Sequence, residues 1–176
     1  SRLWRIARFR KKMPPEEKLT AALNRVGYQN LRLSAKDRTG TLTIPGMVLD
    51  LGGIAKGYAA DRMLETLREK GLDRCLIDAG GDLVIGEPPR DAKGWRVEIG
   101  GRKHPALPIL HLSNLAVATS GDLEQFVTLN GKRYSHLIDP CTGLGLTTQC
   151  QVTVVAPTGL QADSLASACL VTGLEK

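Results

Sequence analysis

Apolar and polar positions change period several times along the chain, and each change marks an element. Pro14-Pro15-Glu16-Glu17 opens a helix, with proline early and acids in the first turn. Leu19, Ala22, Leu23 and Val26 then share one helical face, and Gly27 closes it. Leu31-Arg32-Leu33 and Thr41-Leu42-Thr43-Ile44 alternate with period two, as strands do, with Asp37 to Gly40 as their turn. The apolar run Met47-Val48-Leu49 leads into Asp50 and the pair Gly52-Gly53. From Gly57 the helical spacing returns through Ala60, Met63, Leu64 and Leu67, and Gly71 stops it. Cys75-Leu76-Ile77 reads as a buried strand. A second glycine turn follows, Asp78-Ala79-Gly80-Gly81-Asp82, and then the strand Leu83-Val84-Ile85.

The segment from Glu87 to Gly94 is a polar loop, after which Trp95 to Ile99 alternates strictly. Leu115 to Ala118 is apolar and runs into a turn, Thr119-Ser120-Gly121-Asp122. Phe126 to Leu129 and Tyr134 to Ile138 flank Asn130-Gly131, a strong hairpin signal. Val152 to Val155 is another strand, and Ala162 to Val171 is a helix rich in small residues. The expected fold class is α+β, with antiparallel or mixed sheets, roughly eight short strands and three packed helices. A strand–helix–strand over residues 47 to 77 supplies one crossover. No βαβ pattern repeats, which argues against a doubly wound Rossmann sheet. The expected organisation is a single domain over residues 1–176, with an arm at 1–13 and the main body at 47–172.

Composition changes this picture in one place. The 176 residues are 42% hydrophobic and 24% charged, as in globular chains. No apolar run reaches the ~20 residues that a membrane-spanning helix needs. The net charge of +6 is concentrated in residues 1–12, which carry six Lys or Arg and no acid. The remaining 18 bases balance 18 acids. Trp4 and Phe9 interleave with the arginines, as in a stacking surface for nucleic acid. The favoured reading is a partly packed segment whose Leu3, Trp4, Ile6 and Phe9 join the core, with no nucleic-acid partner. Among the four cysteines, Cys75 and Cys169 sit in apolar runs and read as core residues. Cys141 and Cys150 flank a Gly/Thr-rich loop and could form a disulfide.

Four turns place small residues and a carboxylate at strand ends: Asp50 to Lys56, Asp78 to Asp82, Thr119 to Asp122 and His136 to Asp139. The first reads either as a tight strand–helix connection or as a phosphate cradle. Glycines would let backbone approach the anion, the following helix would offer free N–H groups, and Lys56 would add a charge. Asp163 and Ser167 lie four apart on the last helix, hence on one face. They suit a magnesium ion, which prefers hard oxygen ligands and substrate phosphates. The alternative is that Asp163 complements the helix dipole and Ser167 bonds back to a carbonyl one turn earlier. His136 is a general-base candidate, or a structural histidine held by Asp139. His104 and His111 read as surface or loop residues.

Five motifs then carry a family resemblance. They are Asp50 to Ala59 (DLGGIAKGYA); Ala79-Gly80-Gly81-Asp82; Ala118 to Asp122 (ATSGD); Tyr134 to Pro140 (YSHLIDP) with Thr142-Gly143; and Val152 to Pro157 (VTVVAP) with Ala162 to Ala168 (ADSLASA). In this order they closely resemble the ApbE family of FAD:protein FMN transferases. The resemblance implies an ApbE-like, T-fold-like domain and a magnesium-dependent enzyme. Such an enzyme would split FAD, release AMP and attach FMN to a threonine of an acceptor protein. By position, Asp50, Lys56 and Ile138 would contact FAD. The Gly53 carbonyl, Asp163 and Ser167 would hold Mg²⁺, and His136 would act as base. Ser120 and Asp122 would lie near the flavin.

The resemblance also implies an extracytoplasmic location, often through a lipid anchor absent from this chain, and acceptors in membrane redox complexes. The expected domain is incomplete at its N-terminus, with a further helix after Lys176. Three positions depart from the family pattern. Ser167 stands where threonine is usual, Cys141 follows Asp139-Pro140 where a basic residue is usual, and Leu123-Glu124 replaces an aromatic. They leave room for two other readings, an FAD pyrophosphatase giving FMN and AMP, or a non-catalytic flavin-binding domain.

Overall fold

A computed structural model of the chain describes residues 2–99, 108–121 and 125–173. Among them are four α-helices and ten strands, and every strand pair is antiparallel. The chain divides into two compact units, one from residues 1–50 and 122–150, the other from 51–121 and 151–176.

The second unit holds a four-stranded sheet. Its strands are β3 (Leu76–Asp78), β4 (Leu83–Ile85), β7 (Ala116–Gly121) and β10 (Gln151–Ala156), in the order β10-β7-β4-β3. Side chains alternate across a sheet, and here both faces are covered. Ile77, Val84, Ala116, Ala118 and Ala156 pack with α3 (Ala55–Arg68) and α4 (Gly159–Thr172), through Ala60, Leu64, Ala162 and Ala166. Ile85 and Val117 face the ribbon of β5 (Trp95–Glu98) and β6 (Ile109–Leu112), packing with Val97. The small residues of α4 permit a close approach. A Cβ on Gly57 would lie 2.1 Å from the Gly159 carbonyl oxygen, and one on Gly159 would lie 2.5 Å from that of Gly57. Only glycine fits at both positions.

The first unit contains α1 (Arg2–Arg10), α2 (Glu16–Leu23) and two hairpins. These are β1 (Leu31–Ser34) with β2 (Thr39–Leu42), and β8 (Phe126–Leu129) with β9 (Lys132–Ser135). The β8–β9 turn is Asn130-Gly131, both at positive φ (50° and 75°), the conformation a two-residue hairpin requires. Its core is Trp4, Ala7, Val127 and Leu129, with Tyr134, Ile138 and Leu144 against it. The Trp4 indole N–H donates to the Ser135 carbonyl at 2.9 Å, and its ring meets Tyr134 edge-on at 5.5 Å.

Several expectations are corrected. The basic segment is helical, and only its Trp4 and Ala7 are buried; Ile6 and Phe9 are exposed, since i, i+3 spacing gives a nine-residue helix one narrow inner face. Met47-Val48-Leu49 forms no strand, and Val48 and Leu49 are exposed, so the crossover expected over 47–77 is absent. Thr39 and Gly40 belong to β2 rather than to a turn, and Thr119-Ser120-Gly121 complete β7. Met63 and Cys169 are exposed. Cys141 and Cys150 are free thiols. β6 escaped the sequence reading. His104 and Asp122 lie outside the described residues.

Candidate functional site

The predicted residues fall into two groups, one in each unit. In the second unit the start of α3 meets the middle of α4. Asp163, 4% exposed, accepts a hydrogen bond on Oδ2 from the Gly57 N–H at 3.2 Å. One turn on, the Ser167 hydroxyl lies 3.0 Å from that of Ser120 on β7. A Cβ on Gly53 would lie 3.4 Å from Ser167 Oγ, so this stretch of the glycine turn runs beside the hydroxyl. Lys56 reaches the second glycine turn, its ammonium 2.6 Å from Oδ2 of Asp82, which is 3% exposed. Two of the four turns are thereby joined by an ion pair.

Both readings of the last helix find an answer here. The dipole of α4 is served by Asp61 on α3, whose Oδ1 and Oδ2 accept from the N–H groups of Gly159 (2.7 Å) and Leu160 (2.9 Å). Asp61 was missed, because nothing in its spacing announces a contact 98 residues away. Asp163 instead faces α3, and Ser167 bonds to Ser120; the hydroxyls that bond back along the helix are those of Ser164, to the Leu160 carbonyl at 2.8 Å, and Thr172, to that of Ala168 at 3.1 Å. Among the described residues no cationic side chain pairs with Asp163. A buried carboxylate whose shown partner is a neutral N–H suits a cation.

The donor set near it fits magnesium in kind. It comprises the Asp163 carboxylate and the Ser167 hydroxyl, both hard oxygens, with the backbone of Gly53 running beside Ser167. No group of three or more His, Cys, Asp and Glu side chains gathers in a metal-binding arrangement among the described residues. An ion at Asp163 would therefore draw on neutral oxygens.

In the first unit, Asp50, His136 and Ile138 line one small cleft of about 110 Å³ together with Trp4, Arg5 and Arg8 of α1. His136, half-buried, donates its backbone N–H to the Gln125 carbonyl (3.0 Å) and places ring Nδ1 3.2 Å from the same oxygen. A carbonyl has no proton to give, so Nδ1 carries the hydrogen and the neutral ring keeps its lone pair on Nε2. Asp139 turns to its own loop, where Oδ1 accepts from the Cys141 N–H at 2.8 Å. Arg5 and Arg8 were missed as site residues. Their i, i+3 spacing was the available signal, obscured by the surrounding basic run.

The whole chain, residues 1–176, matches the ApbE family. It is 36% identical to the FAD:protein FMN transferase of Treponema pallidum, over 99% of this chain and 53% of that protein. It is 35% identical to one from Klebsiella pneumoniae, over 93% and 48%. Among solved structures, an ApbE protein from Thermotoga maritima superimposes with a TM-score of 0.84 at 31% identity, covering 99% of this chain and 59% of that one. The flavin transferase ApbE from Vibrio cholerae does so at 0.78 and 31%, covering 93% and 52%. The chain thus spans about half the length of the curated relatives it matches. In sequence and in fold, this chain belongs to the ApbE family.

Proposed function

We propose that this chain acts in magnesium-dependent transfer of FMN from FAD to a threonine of an acceptor protein, releasing AMP. The observation that carries this reading is Asp163, a buried carboxylate with no cationic partner among the described residues, beside the Ser167 hydroxyl and the Gly53 turn. Asp163, Ser167 Oγ and the Gly53 carbonyl would hold Mg²⁺, which when bound neutralises charge on the pyrophosphate oxygens. Lys56, Asp50 and Ile138 would contact FAD, with Ser120 and Asp122 toward the flavin. His136 Nε2 would accept the threonine hydroxyl proton, its tautomer held by Nδ1–H on the Gln125 carbonyl. The threonine oxygen then bonds to the FMN phosphorus, and the phosphorus–oxygen bond to AMP breaks with its electron pair going to AMP. An extracytoplasmic location belongs to the same reading.

The test incubates the chain with FAD, Mg²⁺ and an acceptor protein bearing the threonine. Fluorescent acceptor with AMP release is the expected result. AMP and free FMN without labelled acceptor would show a pyrophosphatase, and flavin bound but unchanged would show a binding domain. Asp163→Asn keeps an acceptor for the Gly57 N–H but loses the charge. It should weaken Mg²⁺ binding by more than about 100-fold, since loss of even an outer-shell partner costs ~10–100-fold. Unchanged Mg²⁺ affinity would remove Asp163 from the metal site.

A further inference from the structure

Helix α1 presents more than the cleft it shares with His136. Arg5 and Arg8 also line a second, larger cleft of about 320 Å³ with Phe9, Lys11, Phe126 and Val127. The two clefts share both arginines, so they adjoin on one face of the first unit. Phe9, Phe126 and Val127 form the apolar half of the larger cleft's lining. Phe9 is 89% exposed and Phe126 48%, with the Arg133 guanidinium stacked 3.9 Å from the centre of the Phe126 ring. Its cations are the arginines and Lys11, in a segment without an acid. Arg8 Nε is buried and has no hydrogen-bond partner among the described residues. The Arg8 side chain lines both clefts, so an oxygen anion entering either one faces its guanidinium charge.

We infer that this face of α1 is the docking surface for an acidic, apolar-flanked segment of the acceptor polypeptide, adjoining its threonine. The inference rests on the transferase reading, which puts the threonine hydroxyl at His136. Chain leaving that threonine passes Arg5 and Arg8 and enters the larger cleft. A carboxylate one or a few residues away meets the arginines, and an apolar side chain covers Phe9 and Phe126. Exposed aromatics rimmed by charge mark protein-binding surfaces. A nucleic-acid backbone fits less well, because its closely spaced phosphates would meet the Asp50 carboxylate in the smaller cleft.

The test uses the full chain and two fluorescently labelled synthetic peptides. One carries threonine flanked by two aspartates and a leucine, and the other carries asparagines in place of the aspartates. Anisotropy should show the acidic peptide binding at least about tenfold tighter, with the preference fading at high salt. Arg5→Glu and, separately, Phe9→Ser should each weaken the acidic peptide about tenfold or more; both positions are exposed, so the fold should survive. Equal affinity for the two peptides, or no effect of either substitution, would overturn the assignment. So would an oligonucleotide that displaces the acidic peptide at lower concentration than unlabelled peptide does. Peptide preference abolished by Arg5→Glu in a chain that never transfers flavin would sustain the surface and sink the transferase reading. Flavin transfer without peptide preference would do the reverse.

Discussion

The two units handle polar groups in opposite ways. In the second, charges and hydroxyls engage one another across elements: Lys56 with Asp82, Asp61 with the start of α4, Ser120 with Ser167, Asp163 with Gly57 N–H. Alanines and glycines stand beside Leu64, Ile77 and Val84 where α3 and α4 pack, so backbones close in there and polar atoms come within bonding reach. In the first unit one large side chain, Trp4, anchors the core, and the cations around it line open clefts. A frame of small residues fixes the geometry of a few oxygens. A helix pinned by one tryptophan leaves its long charged side chains for a partner.

Three substitutions probe that contrast. Trp4→Ala should cost most, about 3–5 kcal/mol, by removing the anchor and its bond to the Ser135 carbonyl. Hydrogen exchange at β8 and β9 is the readout, and a loss below about 1 kcal/mol would mean the first unit has another anchor. Gly57→Ala should destabilise the second unit by about 3 kcal/mol, because its methyl meets backbone that cannot rotate away. Urea unfolding followed through Trp95 measures this; a near-neutral result would show that α3 and α4 have slack. Asp61→Ala should cost about 1–2 kcal/mol, the range for a lost helix cap, with fraying confined to the first turn of α4. Fraying spread through α3 would show that Asp61 braces both helices.

Much of this was legible because local chemistry dictated it. Asn130-Gly131 forces its hairpin wherever it lies, and the 3.6-residue spacing of Ala60, Leu64 and Leu67 needs no tertiary context. The alternation of β5 was equally plain. What failed depended on distant partners. Met47-Val48-Leu49 is apolar enough for a strand, but β strands need a neighbour to pair with, and none pairs with it among the described residues. On α1 the sequence pointed to Trp4, which is buried, but also to Ile6 and Phe9, which are exposed, and not to Ala7, which the helix turns inward three residues after Trp4. At the candidate site, spacing placed Asp163 and Ser167 on one face of α4, and it said nothing of Gly57 or Ser120 opposite. The ion pair of Lys56 with Asp82 joins two of the four turns, a contact that spacing along the chain does not announce.

The bond from Trp4 to the Ser135 carbonyl spans 131 residues of chain, and that separation has a consequence for synthesis. The first unit begins before the second and finishes after most of it, since residues 51–121 lie between its two segments. At ~5–20 residues per second, a ribosome takes on the order of 10 s to deliver the carbonyl that the indole awaits. Throughout that interval the tryptophan of this basic helix lacks the β8–β9 hairpin it packs on in the folded chain. That makes α1 a segment whose packing waits on chain made much later.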